Sequence, residues 1–319
     1  MNELTVVGAG AWGTALAIQA VRAGGTVRLW ARDRSRAEAM ASTRENPRLP
    51  GFALPPSVAV VSDPRQATGL RLTAVPVQHL RAVLQRLPRE GPIVVCAKGV
   101  ESGTLRFPAE VVAETHPGTP YGVLTGPNFA HEIAAGLPGA SVIACPDATL
   151  REQVIVSLGT PTFRLYGNDD TVGVQVGGAA KNVIAIAAGA VIGARLGENA
   201  RAALITRGLA ELGRAAAALG GRAETVMGLS GLGDLLLTCT GPASRNFSLG
   251  VALGRGERLP DVLASRTAVT EGVATAPALV ARAAGVDMPI CRAVAALLDG
   301  RTTLAQAISE LLARPRRDE

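Results

Sequence analysis

The chain has 319 residues, more than one hydrophobic core ordinarily serves, so two domains are expected. Hydrophobic residues make up 48% and charged residues 18%, which excludes a disordered chain. The net charge of +6 sits on scattered arginines, aromatics are 3%, and only Arg314, Arg316 and Arg317 form a run; this pattern excludes a nucleic-acid partner and suits attraction of small anions.

The chain opens on an apolar strand at 4–7 that runs straight into a turn, not on a basic, cleavable leader. Further strands are predicted at 27–30, 58–61, 71–75, 93–97, 122–124, 141–144 and 162–165, with helical patterns between several of them, as at 11–23 and 77–87. That alternation predicts an α/β domain over 1–168, a Rossmann-type doubly wound, mostly parallel sheet with helices on both faces. From 169 to 319 the pattern changes to long Ala- and Leu-rich stretches at helical period: 172–194, 199–219, 247–253, 275–284, 290–298 and 303–312. An all-α second domain is expected there. Its most apolar stretch, 182–194, is too short to span a bilayer and reads as a buried core helix, so no membrane insertion is expected. Cys96, Cys145, Cys239 and Cys291 are far apart and form no CxxC pair. They predict neither a metal site nor a disulfide framework, and a cytoplasmic chain whose cysteines serve as small core residues.

The first strand delivers Gly8-Ala9-Gly10-Ala11-Trp12-Gly13, a GxGxxG turn between strand and helix. Gly8 permits the tight turn, Gly10 lets backbone approach a pyrophosphate, and Gly13 lets helix and strand pack closely. The free N–H groups of the following helix face the phosphates. In this context the turn predicts a nicotinamide dinucleotide. The second strand ends in Arg32-Asp33-Arg34, a mixed signal: an acid there favours a free ribose 2′-OH, an arginine a 2′-phosphate. Arg32 tilts the expectation toward NADPH, with NADH also usable; alternatively the arginines only solvate a loop.

Lys and Arg total 32, yet only Lys98 and Lys181 are lysines. Lysine can lose a proton when buried and act as acid or base, which guanidinium effectively cannot. Lys98 follows the strand 93–97 at its carboxyl end, where doubly wound sheets bind ligands. Gly126-Pro127-Asn128-Phe129-Ala130 follows another strand in the same way, so the two loops should meet; each alone is equally an ordinary surface loop. Lys181 is a lone charge in an apolar helix. Burial would lower its pKa and poise it for proton transfer, unless its stem packs while its amine reaches water. Gly231-Leu232-Gly233-Asp234 reads as a tight turn with one carboxylate. Ser244-Arg245-Asn246 opens a helical pattern with hydroxyl, guanidinium and amide donors suited to an oxyanion; Ser244 is equally an ordinary N-cap.

Gly-Ala-Gly-Ala-Trp-Gly-Thr-Ala-Leu at 8–16, Ala-Lys-Gly at 97–99, Gly-Pro-Asn-Phe-Ala at 126–130, Ala-Lys-Asn at 180–182, Gly-Leu-Gly-Asp-Leu at 231–235, Thr-Cys-Thr at 238–240 and Ser-Arg-Asn at 244–246 stand in this order. With these motifs the chain resembles the bacterial NAD(P)-dependent glycerol-3-phosphate dehydrogenases over nearly its whole length. The resemblance implies a Rossmann domain, a helical domain, and reduction of dihydroxyacetone phosphate to sn-glycerol 3-phosphate for phospholipid synthesis. It implies Lys181 as the proton carrier, with Lys98 touching both cofactor and substrate. It implies substrate contacts from Gly126, Asn128, Asp234, Ser244, Arg245 and Asn246. Ala11, Trp12, Arg32, Ala130, Arg245, Val269 and Glu271 would line the cofactor. It allows a homodimer. The chain departs from the family at Ala11, where serine is common, at Asn128, where serine or threonine is common, and at His131, where lysine or arginine is common. Backbone N–H groups still serve at Ala11, and an amide can still bond at Asn128. Two rivals share the turn. A reductase of a non-phosphorylated 2-oxo or 2-hydroxy acid would not need Arg245, and a non-catalytic NAD(P)-sensing protein would not need the lysines.

Overall fold

The computed structural model describes residues 3–266 and 269–315; Arg316 and Arg317 of the basic run lie outside them. The chain divides into two compact units, one of residues 1–98 and 106–175, the other of residues 99–105 and 176–319.

The first unit holds an eight-stranded sheet: β1 (Glu3–Val7), β2 (Thr26–Trp30), β3 (Val58–Val61), β4 (Leu70–Thr73), β5 (Ile93–Val95), β6 (Tyr121–Thr125), β7 (Gly139–Ala144) and β8 (Phe163–Asn168). The spatial order is β3-β2-β1-β4-β5-β6-β7-β8, and only the β6–β7 pair is antiparallel. Six α-helices accompany it among the described residues: α1 (Ala11–Arg22), α2 (Arg34–Thr43), α3 (Val77–Leu84), α4 (Pro108–Thr115), α5 (Ala130–Ala135) and α6 (Ala148–Leu158). Alternation of side chains across the pleat explains why both faces are covered. Leu4 and Val6 enter a core with Leu16, Ile18 and Leu29, while Val7 enters a second core with Leu80, Leu84 and Val95. All eight strands fall where the hydrophobic runs place them. β4 and β5 close earlier than expected, at Thr73 and Val95. Strand order reverses between β1 and β4, the switch point at which such sheets open a crevice at their carboxyl ends. The glycine turn follows β1 and so stands there.

The second unit is helical: α7 (Thr171–Gly193, which begins in the first unit), α8 (Glu198–Ala218), α9 (Asp234–Cys239), α10 (Arg245–Gly254), α11 (Leu259–Ala264), α12 (Glu271–Arg282), α13 (Pro289–Leu298) and α14 (Leu304–Leu312). By length and composition α7 could cross a membrane, a correction to the short stretch read from sequence; yet 89% of its most apolar window is buried within the protein. Its glycines explain the burial. A Cβ at Gly189 would lie 2.0 Å from the Phe247 carbonyl oxygen, and one at Gly193 2.2 Å from that of Val251. Reciprocally, a Cβ at Gly250 would lie 2.0 Å from the Ile186 oxygen. α7 and α10 therefore touch backbone to backbone, which only glycine permits. The segment 231–234, read as a tight turn, is instead helical. Leu229–Gly233 forms one wide turn, closed by the Gly233 N–H donating to Gly228 O at 3.2 Å, and leads directly into α9. Gly177 of α7 packs against it, with space for no Cβ: Ser230 O would be 2.7 Å away.

Candidate active site

In the first unit the three glycines of the turn carry different burdens. Gly8 has φ +111°, and a Cβ there would lie 2.8 Å from Val75 and 2.9 Å from Ala74 O. A Cβ at Gly13 would lie 1.9 Å from Gly8 O, so helix and strand require its absence. At Gly10 the backbone is ordinary extended chain, φ −79° and ψ 179°, and a Cβ would meet nothing within 4 Å. No side chain caps α1. Protein packing thus accounts for Gly8 and Gly13 but not Gly10. Close approach of a ligand's phosphates to the backbone would account for it. The residues present fit a dinucleotide. Ala11 and Trp12, both half-buried, form the first turn of α1.

The turn is braced by residues that the sequence did not single out. Asn46 is buried; its Nδ2 donates to Ala9 O at 3.2 Å and to Thr14 Oγ1 at 2.6 Å. Its Oδ1 accepts from Arg36 Nη2 at 2.9 Å and from the Arg48 N–H at 3.1 Å, and Arg36 also donates to Ala9 O. Beyond β2, Arg32 is exposed and makes no ion pair among the described residues. Asp33 caps α2, accepting from the Arg36 N–H at 2.9 Å and from Ser35 Oγ at 2.8 Å. Those bonds, that from Arg36 foremost, hold its carboxyl below the usual range. Arg34 turns to Glu38 at 2.8 Å.

The two loops expected to meet do so. Lys98 Nζ donates to Gly126 O at 3.1 Å. Gly126 has φ +145°, and a Cβ there would lie 2.9 Å from Ser141 Cα. Asn128 Nδ2 donates to Ser141 Oγ at 2.7 Å and to Ala140 O at 3.3 Å, while its Oδ1 is buried without a hydrogen-bond partner. Ala130 begins α5, and the exposed His131 stacks on Phe129 with ring centroids 5.8 Å apart.

In the second unit Lys181 is not a lone charge. It is 8% exposed, and its Nζ donates to Asp234 Oδ1 at 2.6 Å and to Thr238 Oγ1 at 2.9 Å. Asp234 is 1% exposed, and Thr238, one turn along α9, donates to Asp234 O at 2.6 Å. The wide turn 229–233 sets the start of α9 so that both acceptors face α7. Asn182, next to Lys181, serves α10: its Oδ1 accepts from Asn246 Nδ2 at 2.9 Å. Asn246 Oδ1 in turn accepts from the Gly272 N–H at 3.0 Å, tying the starts of α10 and α12 to α7. Ser244 caps α10 by accepting from the Phe247 N–H at 3.2 Å. Arg245 is exposed, and its carbonyl accepts from Arg266 at 2.7 Å. Val269 is exposed; Glu271 opens α12. Thr238 and Asn182 stand in the quoted motifs without a role. The usable signal was spacing: Thr238 follows Asp234 by one helical turn, and Asn182 adjoins Lys181.

Two family models fit this arrangement. The N-terminal part of NAD-dependent glycerol-3-phosphate dehydrogenase matches residues 3–151, and its C-terminal part matches residues 170–309. The chain belongs to the NAD-dependent glycerol-3-phosphate dehydrogenase family. It is similar to the glycerol-3-phosphate dehydrogenase (NAD(P)+) of Acidiphilium cryptum, 57% identical, covering 99% of this chain and 98% of the relative. The protein of the same name from a Bradyrhizobium species is 52% identical, covering 98% and 97%. The crystal structure of glycerol-3-phosphate dehydrogenase from Coxiella burnetii aligns with a TM-score of 0.93 at 36% identity, covering 98% of this chain and 99% of that one. The buried Lys181–Asp234 pair lies within the residues matched by the C-terminal model.

Proposed function

We propose that the protein reduces dihydroxyacetone phosphate to sn-glycerol 3-phosphate, reversibly, using NADPH or NADH, and supplies glycerol 3-phosphate for glycerophospholipid synthesis in the cytoplasm. The observation that carries this is the buried Lys181 ammonium, fixed by Asp234 and Thr238 at 2.6 and 2.9 Å. The nicotinamide, when bound, supplies the hydride. Gly8, Gly10, Ala11, Trp12, Gly13 and Arg32 would hold the cofactor, with Lys98, Ala130, Arg245, Val269 and Glu271. Lys98, Gly126, Asn128, Lys181, Asp234, Ser244, Arg245 and Asn246 would hold the substrate.

Asp234 and Thr238 accept from Lys181 Nζ and hold the ammonium in place. As the ketone oxygen gains negative charge, the Lys181 ammonium would stabilise it and deliver the proton that makes the hydroxyl. The ketone carbon gains the hydride, the oxygen the proton, and Lys181 is reprotonated from solvent. The guanidinium of Arg245 suits the substrate phosphate; Asn246, whose amide is engaged at both ends, keeps the start of α10 in place for it. Loss of reduced-cofactor absorbance with dihydroxyacetone phosphate tests the reading. Lys181→Arg keeps the charge but hardly donates a proton, so kcat should fall roughly 100-fold or more. Near-normal turnover of that variant would remove the role. An unchanged KM in Arg245→Ala would point to a substrate without phosphate.

A further inference from the structure

The reading that the glycine turn holds the dinucleotide leaves open what distinguishes its phosphorylated from its unphosphorylated form. Of the carboxylates around the end of β2, Asp33 is committed to the α2 cap and Glu38 to Arg34. Glu45 makes no ion pair among the described residues, and neither do Arg32, Arg36 or Arg48. Arg36 and Arg48 therefore stand beside the turn with no carboxylate among the described residues ion-paired to either guanidinium, and the exposed Arg32 follows β2 at the same end of the sheet. They are not loosely placed. Arg36 donates to Ala9 O inside the turn and to Asn46 Oδ1, and the Arg48 backbone N–H donates to the same Oδ1 at 3.1 Å. Asn46 itself grips Ala9 O and Thr14. Arg32 stands just past β2, whose Trp30 pairs with Val7 immediately before the turn. Burial first, then the like charge of Arg48, depress the pKa of Arg36, against a smaller opposing attraction from Asp33. A dianion placed among them would relieve that repulsion.

We propose that Arg48, with Arg36 and Arg32, forms the seat for a phosphate on the dinucleotide ribose, and that Arg48 sets the preference for the phosphorylated cofactor. In doubly wound sheets the end of the second strand lies at the ribose 2′-oxygen, and an arginine there accommodates a 2′-phosphate. Arg36 is the brace that ties this seat to the turn. Arg48 is exposed and owes its position to its backbone bond with Asn46, so its side chain can be changed without disturbing the fold.

The test is equilibrium binding of adenosine 2′,5′-bisphosphate and of 5′-AMP by calorimetry, which needs no turnover. Wild type should prefer the bisphosphate. Arg48→Gln should weaken the bisphosphate about tenfold, the size of one charge-assisted contact, while AMP changes less than twofold. Arg48→Lys should restore part of the loss. Arg32→Gln/Arg48→Gln should bring the two ligands near parity, and melting temperatures should stay at the wild-type value. If Arg48→Gln leaves the bisphosphate unaffected, or weakens both ligands alike, the proposal falls while the function stands. If wild type binds neither nucleotide and does not turn over dihydroxyacetone phosphate, the underlying reading of the turn falls instead.

Discussion

The Lys181–Asp234 pair can be taken apart and weighed. Its side chains are 10% and 1% exposed, and the charged atoms lie 2.6 Å apart. At an effective dielectric of about 20, that separation corresponds to about 6 kcal/mol of attraction. Removing both ions from water takes back several kcal/mol for each, so the intact pair adds little net stability. The asymmetry appears when one partner goes. Lys181→Met leaves a carboxylate buried without its ammonium, and Asp234→Leu leaves an ammonium buried without its carboxylate. Each should lower the unfolding free energy by about 3–5 kcal/mol. The double variant, in which two apolar side chains fill the space, should recover most of that loss while staying inactive. Urea unfolding with a constant m-value measures all four proteins, and the cycle yields the coupling directly. Single losses below about 1 kcal/mol that simply add would refute a buried, interacting pair. A double variant with wild-type turnover would instead remove the catalytic role of Lys181.

Other consequences are as specific. Gly250→Ala places a Cβ 2.0 Å from Ile186 O, so α7 and α10 must part; a loss of about 1–3 kcal/mol or more is expected, seen as a lower melting temperature despite alanine's better helix propensity. Cys96 and Cys239 are pushed up to about 12 by burial, and all four cysteines are buried. Thiol titration at pH 8 should therefore find almost none in the native protein and four after denaturation, and prompt labelling of native Cys239 would contradict its packing. His116 is buried, with ring contacts to Thr115 and Pro88, and burial foremost, with Arg71 and Arg89 adding repulsion, lowers its pKa. The unfolded chain then takes up that proton near pH 6.5 while the folded one resists it. This share of stability is present above about pH 6.5 and is lost as pH falls through the lower folded value. The melting temperature should drop less between pH 7 and 5.5 in His116→Gln than in wild type, and equal slopes would remove His116 from the account.

The strands were legible because each buried one is a short apolar run closed by a turn, and a sheet covered on both faces leaves such runs little other use. The lysines were legible because arginine takes nearly every other basic position. What remained hidden was contact across sequence. Asp234 lies 53 positions from Lys181, and nothing in an Ala-rich helix says which carboxylate it will meet. The wide turn 229–233 was hidden for a related reason. Its Gly-Leu-Gly reads as a loop, yet Gly231 is there because a Cβ would lie 2.0 Å from Val226 O. Asn46 and Arg36 gave no pattern at all, since their part is to hold a carbonyl oxygen that only the folded turn presents.

The glycine turn separates what folding demands from what a ligand demands. Gly13→Ala would set a Cβ 1.9 Å from a backbone oxygen of β1's own turn, which no side-chain rotation relieves. It should destabilise the first unit by about 1–3 kcal/mol or more and weaken nucleotide binding only as a consequence. Gly10→Ala meets no atom within 4 Å and needs no unusual backbone angle. Its stability should be unchanged or higher by up to about 1 kcal/mol, because the unfolded chain loses freedom. If Gly10 serves to let backbone reach phosphates, the same methyl group stands where the pyrophosphate must come. Gly10→Ala should then melt no lower than wild type and yet bind NADPH and NADH at least tenfold more weakly. A stable Gly10→Ala protein with undiminished affinity for both would show that the phosphates lie elsewhere.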